Sequence, residues 1–149
     1  MDIGEIMQRL PHRYPFLLVD RILECDENHV VGLKNFTMNE LFFQGHFPGE
    51  PVVPGVLLLQ AMGQVASMLV RNLPGPDALV AYLTSVDEAK FRRPVCPGDQ
   101  LITEAKIVKV RGRLGKVSTV ARVNGAPVAE AVLGFVLSRS LQQKGQGDE

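Results

Sequence analysis

Tryptophan is absent from this 149-residue chain, cysteine occurs only twice, and neither sign of charge is in excess, with 16 Lys+Arg against 16 Asp+Glu. Each shortage excludes something. Two thiols, Cys25 and Cys96, cannot form a disulfide framework, and with no signal-peptide pattern beside them they fit a reducing, cytoplasmic compartment. A formal net charge of +0 argues against a dedicated nucleic-acid binder, whose phosphate contacts need a basic excess. The 3 histidines are scattered and match no zinc spacing with two distant cysteines, so no metal site is expected. No apolar run reaches the roughly 20 residues that a bilayer requires. The longest, 56 to 70, carries Gln60, Gln64 and Ser67. What remains is a chain that is 46% apolar and long enough to bury a core without staples. One domain is expected over 1–141, with the polar residues 142–149 as a frayed tail.

Periodicity orders the chain. Residues 3 to 10 place Ile3, Ile6, Met7 and Leu10 at helical spacing and Pro11 ends the run, which predicts a short helix. Residues 16–25 and 30–38 read as a first strand pair joined by the polar run Asp26-Glu27-Asn28-His29. Residues 39–55 have the glycines and prolines of a loop, yet are too apolar for a solvated linker. Residues 56–71 form the best helix, and Gln60, Gln64, Ser67 and Arg71, spaced four, three and four, draw one polar stripe along an apolar cylinder. After a turn at Leu73-Pro74-Gly75-Pro76, four extended segments follow at 79–91, 100–111, 114–123 and 127–139, read as a meander. Asn124-Gly125 is a two-residue hairpin signal between the last two. A helix that is apolar on nearly all sides can be covered only by a sheet that curls around it. The fold class is therefore α+β, with a mainly antiparallel sheet wrapped around one long central helix, the arrangement called the hotdog fold.

Among the groups able to do chemistry, His29 sits in a charged turn and reads as solvated. His12, within PHRYP, reads more readily as a capping or core group than as a functional one. His46 lies in GHFPG between Phe42-Phe43 and Phe47. A desolvated imidazole beside aromatics stays neutral near pH 7, as a general base must, although a hydrogen-bonded core histidine fits that argument equally well. Pro54-Gly55 opens the long helix, where free backbone N–H groups and a missing Cβ suit a carbonyl that becomes enolate-like; ordinary helix-start punctuation has the same appearance. Gly112 to Ser118 lacks the phosphate-loop spacing and reads as a hairpin turn. No serine or cysteine has a nucleophile-elbow context.

The chain as a whole resembles the (3R)-hydroxyacyl-acyl carrier protein dehydratases of type II fatty acid synthesis. The resemblance runs through PHRYPFLLVDR (11–21), KNFT (34–37), NELFFQGHFPG (39–49), PGVL (54–57), VDEAKFRRPV (86–95) and PGD (97–99). It implies loss of water from a (3R)-3-hydroxyacyl thioester to give the trans-2-enoyl thioester, with no cofactor. It also implies an acyl carrier protein as partner that bears the substrate, and a homodimer whose site is shared between subunits, assembled further into a hexamer. His46 would act with a glutamate on the neighbouring subunit's helix, and the N–H of Gly55 would polarise the thioester carbonyl.

The chain departs from this pattern where it matters most, because the glutamate's position, fourteen after the histidine, is Gln60. An amide cannot titrate, and general acid–base assistance typically contributes about 10²- to 10⁴-fold. The site is expected to bind better than it turns over, whether as an isosteric change that traps substrate, as a site where His46 shuttles the proton alone, or as a weak relative. Glu40, Glu50, Asp87 and Glu88 are the nearby carboxylates weighed as substitutes. Gln64, one turn on, would hydrogen-bond and orient Gln60. Tyr14, Phe42, Phe43 and Phe47 are candidates for an acyl tunnel, and Lys90, Arg92 and Arg93 for docking an acidic carrier protein. The alternative from another class is a non-catalytic acyl-carrier-binding or structural subunit. A thioesterase of the same fold is a third, weakened because Gln60 cannot activate water.

Overall fold

Helix α1, Ile3–Arg9, begins with a reciprocal cap: Asp2 accepts from the Glu5 N–H while Glu5 accepts from the Asp2 N–H. It ends where Arg13 folds back and donates to the carbonyls of Met7 and Leu10, each at 2.7 Å, so the orphan carbonyls of the last turn are paired. The computed structural model describes residues 1–70 and 79–139; the expected turn at 73–76, the stripe residue Arg71 and the tail at 142–149 lie outside the described residues.

Six strands follow: β1 Arg21–Cys25, β2 His29–Asn35, β3 Leu79–Phe91, β4 Gln100–Arg111, β5 Leu114–Val123 and β6 Ala126–Arg139, with helix α2, Gly55–Val70, between β2 and β3. They form one sheet in the order β1-β2-β4-β5-β6-β3, and every neighbouring pair is antiparallel. The four-strand meander is thus correct for β4, β5 and β6 only. Strand β3 pairs with β6 rather than β4, because α2 carries the chain across the sheet face and β2 already occupies the flank of β4. The β5–β6 hairpin turns at Asn124 and Gly125, both at positive φ (51° and 80°), as a two-residue turn of this hand requires.

The expected first strand, 16–25, starts five residues late, at Arg21. Backbone groups of the preceding segment go to a side chain instead of a ladder: the Leu18 N–H donates to Gln64 Oε1 and Gln64 Nε2 donates to the Phe16 carbonyl, each at 2.7 Å. Similarly β2 stops at Asn35, where the Phe36 N–H turns to the Asp99 carbonyl and the Gly98 N–H to the Phe36 carbonyl.

Helix α2 packs against all six strands, which is the hotdog arrangement. Its first half (Leu58, Ala61, Met62) joins Phe36, Phe43 and Leu101 in one core cluster, and its second half (Val65, Met68, Leu69) joins Ile6, Val30 and Phe135 in another. The helix seats closely on β2 because residue 32 has no side chain. A Cβ built on Gly32 would lie 2.6 Å and 3.0 Å from the two Val65 methyl carbons. Gly32→Val therefore overpacks the helix–sheet contact, a change that costs about 1–3 kcal/mol. The urea midpoint is expected to fall at unchanged m-value; an unchanged midpoint would show that α2 does not press on β2.

Candidate active site

The loop before α2 is built to hold one imidazole. Phe43 is buried and packs edge-on against Phe42, itself edge-on to Phe36, in the 3₁₀ turn Leu41–Gln44. Phe43 belongs to the core cluster, and Phe42 is partly buried against it. Lys34, 8% exposed, reaches up from β2 to Glu40 at 2.8 Å and Asp20 at 3.7 Å, which ties the loop to the sheet. Past the turn, the His46 N–H donates to the Phe42 carbonyl and the Val52 N–H to the His46 carbonyl, both at 3.0 Å. The imidazole Nδ1 lies 2.8 Å from the Val52 carbonyl. A carbonyl only accepts, so Nδ1 is the donor, and in the neutral ring the lone pair is on Nε2, the arrangement a base requires. The ring is half-buried and stacks on Phe47 with centroids 4.0 Å apart.

Helix α2 starts at Gly55, with Leu57 and Leu58 both donating to the Pro54 carbonyl. The amides of Gly55 and Val56 precede those bonds and lie at the positive end of the helix dipole. A Cβ on Gly55 would sit 3.2 Å from the Phe91 ring, so glycine here lets β3 close over the helix start. A hollow of about 250 Å³ opens beside it, lined in part by Arg92 and Arg93. Arg92 is already paired with Glu130. Lys90 and Arg93 are exposed and have no ion pair among the described residues.

A second cleft, of about 350 Å³, lies between α2 and strands β3 and β6. Gln60, Gln64 and Ser67 of the polar stripe face it, opposite Tyr82, Leu83 and Phe135. Among the described residues, no Asp or Glu lines it. Of the carboxylates weighed as substitutes, Glu40 is taken by Lys34 and Asp87 by Lys116, while Glu50 and Glu88 are exposed elsewhere. His46 does not line this cleft, so within one chain it and Gln60 belong to separate places. Tyr14, 83% exposed, and Phe47, 53% exposed, are also outside it. Gln64 does not bond Gln60; both ends of its amide are used on residues 16–18, and it is 1% exposed.

The contact to Gln60 comes instead from His12, which the sequence did not single out. Its Nε2 lies 3.5 Å from Gln60 Nε2, it lines the same cleft, and its Nδ1 is enclosed without a hydrogen-bond partner. Burial first, and the neighbouring Arg13 charge second, hold its pKa below the ordinary histidine value. The signal was present in the PHRYP motif, but nothing in sequence spacing shows that Gln64 would draw that segment onto α2.

A family model described as FabA-like domain matches residues 10–132. The chain belongs to the FabA-like family. Among the relatives of this FabA-like protein, a 3-hydroxyacyl-[acyl-carrier-protein] dehydratase FabZ from Thermus thermophilus is 56% identical over 138 residues, 92% of this chain and 97% of the relative. Another, from Desulforamulus reducens, is 50% identical over 140 residues, 93% and 99% of the two chains. Among solved structures, the dehydratase heterocomplex ApeI:P from Xenorhabdus doucetiae superposes with a TM-score of 0.77 at 12% identity, covering 97% of each chain. A mutant thioesterase, PA1618 from Pseudomonas aeruginosa, gives 0.71 at 13% identity over 94% and 96%. These two likenesses speak for the fold alone.

The lowered His12 pKa has a sign that can be measured. As pH falls below about 6.5, the unfolded chain binds a proton on His12 before the folded chain does, so this residue's contribution is intact at higher pH, declines as the pH drops toward the lowered value, and levels off below it. Urea midpoints between pH 5 and 8 are expected to slope less for His12→Asn than for the unaltered chain. Equal slopes would contradict the assignment.

Proposed function

We propose that this FabA-like protein removes water from a (3R)-3-hydroxyacyl chain carried on acyl carrier protein, giving the trans-2-enoyl thioester of fatty acid biosynthesis. The observation that carries the reading is the His46 imidazole, whose Nδ1 is committed to the Val52 carbonyl and whose Nε2 is left as a base. The relationship to FabZ dehydratases across nearly the whole chain supports it. In the reaction, His46 Nε2 takes the α proton, the Gly55 amide end of α2 stabilises the enolate-like oxygen, the C=C bond forms and the C–O bond breaks. The departing hydroxyl needs a proton, which Gln60 cannot give. His46 returns the one it has just received, and water leaves. So written, the elimination is balanced without a metal or redox cofactor.

His46 and Gln60 act together only if they come from two chains, so the working unit is a homodimer, which the resemblance extends to a hexamer. Strand β3 supports this: it is a 13-residue edge of the sheet with Leu83, Val86 and Phe91 exposed, a surface that a second β3 would cover. Tyr14 and Phe47, exposed in one chain, would then close the acyl site from the partner's side. Exposed, unpaired Cys25 and Cys96 fit a cytoplasmic location.

One observation favours the second reading, a non-catalytic acyl-carrier-binding subunit: among the described residues, no carboxylate lines the Gln60 cleft. Enoyl absorbance from a 3-hydroxyacyl carrier protein, followed with free thiol, separates the two. His46→Ala is expected to lower kcat by about 10²-fold or more, and Gln60→Glu to raise it by up to about 10²-fold. Tight carrier binding with no enoyl product from the unaltered chain or Gln60→Glu would establish the binding subunit, and thiol release would indicate hydrolysis.

Docking of the acidic carrier falls to Lys90 and Arg93, since Arg92 is engaged with Glu130. Arg93→Glu is expected to raise KM severalfold for a carrier-borne substrate at low salt, and to leave KM for a pantetheine-borne substrate unchanged. Equal effects on both substrates would remove the docking role.

A further inference from the structure

The mechanism above leaves His12 idle, although it is the side chain in contact with Gln60. Its segment is held at both ends. Arg13 donates to the His12 carbonyl at 2.7 Å as well as to the end of α1, and Gln64 grips Phe16 and Leu18. The Phe16 ring lies against His12 with centroids 6.1 Å apart. The imidazole therefore has little freedom, and it stands in the cleft wall beside Gln60.

An amide has two faces of opposite chemistry, a carbonyl that accepts and an NH₂ that donates, and a half-turn exchanges them. Whichever face meets the substrate decides what Gln60 does there. The 3.5 Å approach of Gln60 Nε2 to His12 Nε2 uses the donor face, which requires a lone pair on that imidazole nitrogen and so a neutral ring. Burial and the Arg13 charge keep the ring neutral, and no carboxylate pairs with it among the described residues. The proton then resides on Nδ1, the enclosed atom without a partner. Unpaired buried groups are rare in folded proteins and call for a reason.

We propose that His12 is a positioning residue that holds the Gln60 amide with its NH₂ toward the imidazole and its carbonyl oxygen toward the substrate. The inference rests on the dehydratase reading and deepens it. With Oε1 facing the substrate, the 3-hydroxyl donates its hydrogen to Gln60 and turns a lone pair toward His46. That lone pair takes the proton His46 removed from the α carbon; the C–O bond breaks and water departs. Gln60 thus aims the leaving group without giving it a proton.

Two measurements on the full-length protein in its native assembly decide the matter. Long-range ¹H–¹⁵N spectra of histidine-labelled protein are expected to show His12 as the Nδ1–H tautomer, and to show that tautomer's share falling in Gln60→Leu. In the elimination assay His12→Phe is expected to lower kcat roughly two- to tenfold, the range a single positioning hydrogen bond commands. KM should stay within about twofold, His12→Asn, which keeps an acceptor, should recover part of the loss, and the penalty should vanish in a Gln60→Leu background. An Nε2–H tautomer, or a His12→Phe penalty of equal size with Leu at position 60, overturns the proposal. If the unaltered chain yields no enoyl product from any 3-hydroxyacyl thioester, the dehydratase reading fails by itself, and the tautomer spectra still decide the His12–Gln60 pair.

Discussion

A helix packed against every strand of a sheet keeps little solvent-facing surface, so a polar group buried on it must find a partner inside the protein. Helix α2 carries such groups on one stripe, and each is answered differently. Ser67 bonds back to the Gly63 carbonyl at 2.8 Å. Gln64, almost wholly buried, satisfies both ends of its amide on the backbone of residues 16–18. Gln60 meets His12. The demand for pairing on α2 therefore shapes the chain around it. It takes residues 16–18 out of the sheet, shortens β1, and lays the PHRYP segment along the cleft.

The same demand separates the two histidines by role. His46 is held within its own loop, by hydrogen bonds with the backbone of Phe42 and Val52 and by stacking on Phe47. Its orientation is therefore a property of the loop. His12 depends on long-range contacts, from Arg13 back to α1 and from Gln64 to the residues that follow. On the proposed reading, a loop-held base and a helix-held amide meet in one site when two chains associate, and β3, an edge strand among the described residues with Leu83, Val86 and Phe91 exposed, is the surface proposed for it. On that reading, oligomerisation and catalysis are one requirement.

Much of the fold was legible beforehand. The last four strands agree with the sequence reading to within a residue at each end, because Pro, Gly and Asn-Gly punctuate them sharply and strand alternation is local. The helix was plain from its length and apolar content. Less was legible in the pairing of β3 with β6, and in the start of β1, since neither is recorded in the spacing of nearby residues. Among the candidate site residues, His46, Gly55 and Gln60 were proposed from GHFPG, PGV and the distance between them, through the family resemblance. Gln64 was read as a neighbour of Gln60 by helical proximity and proved to serve a different segment, while the cationic run 90–93 did not reveal that Glu130 would neutralise Arg92.

What the sequence determined by itself was the set of local structures and the chemistry of each group: a loop imidazole, an apolar helix with a stripe of amides, and a sheet of short-turned strands. Which groups meet was decided only in three dimensions. His12 and Gln60 are 48 positions apart, and no periodic pattern spans that distance. Their contact exists because a buried amide on α2 had to be hydrogen-bonded and the backbone of residues 16–18 was what lay in reach.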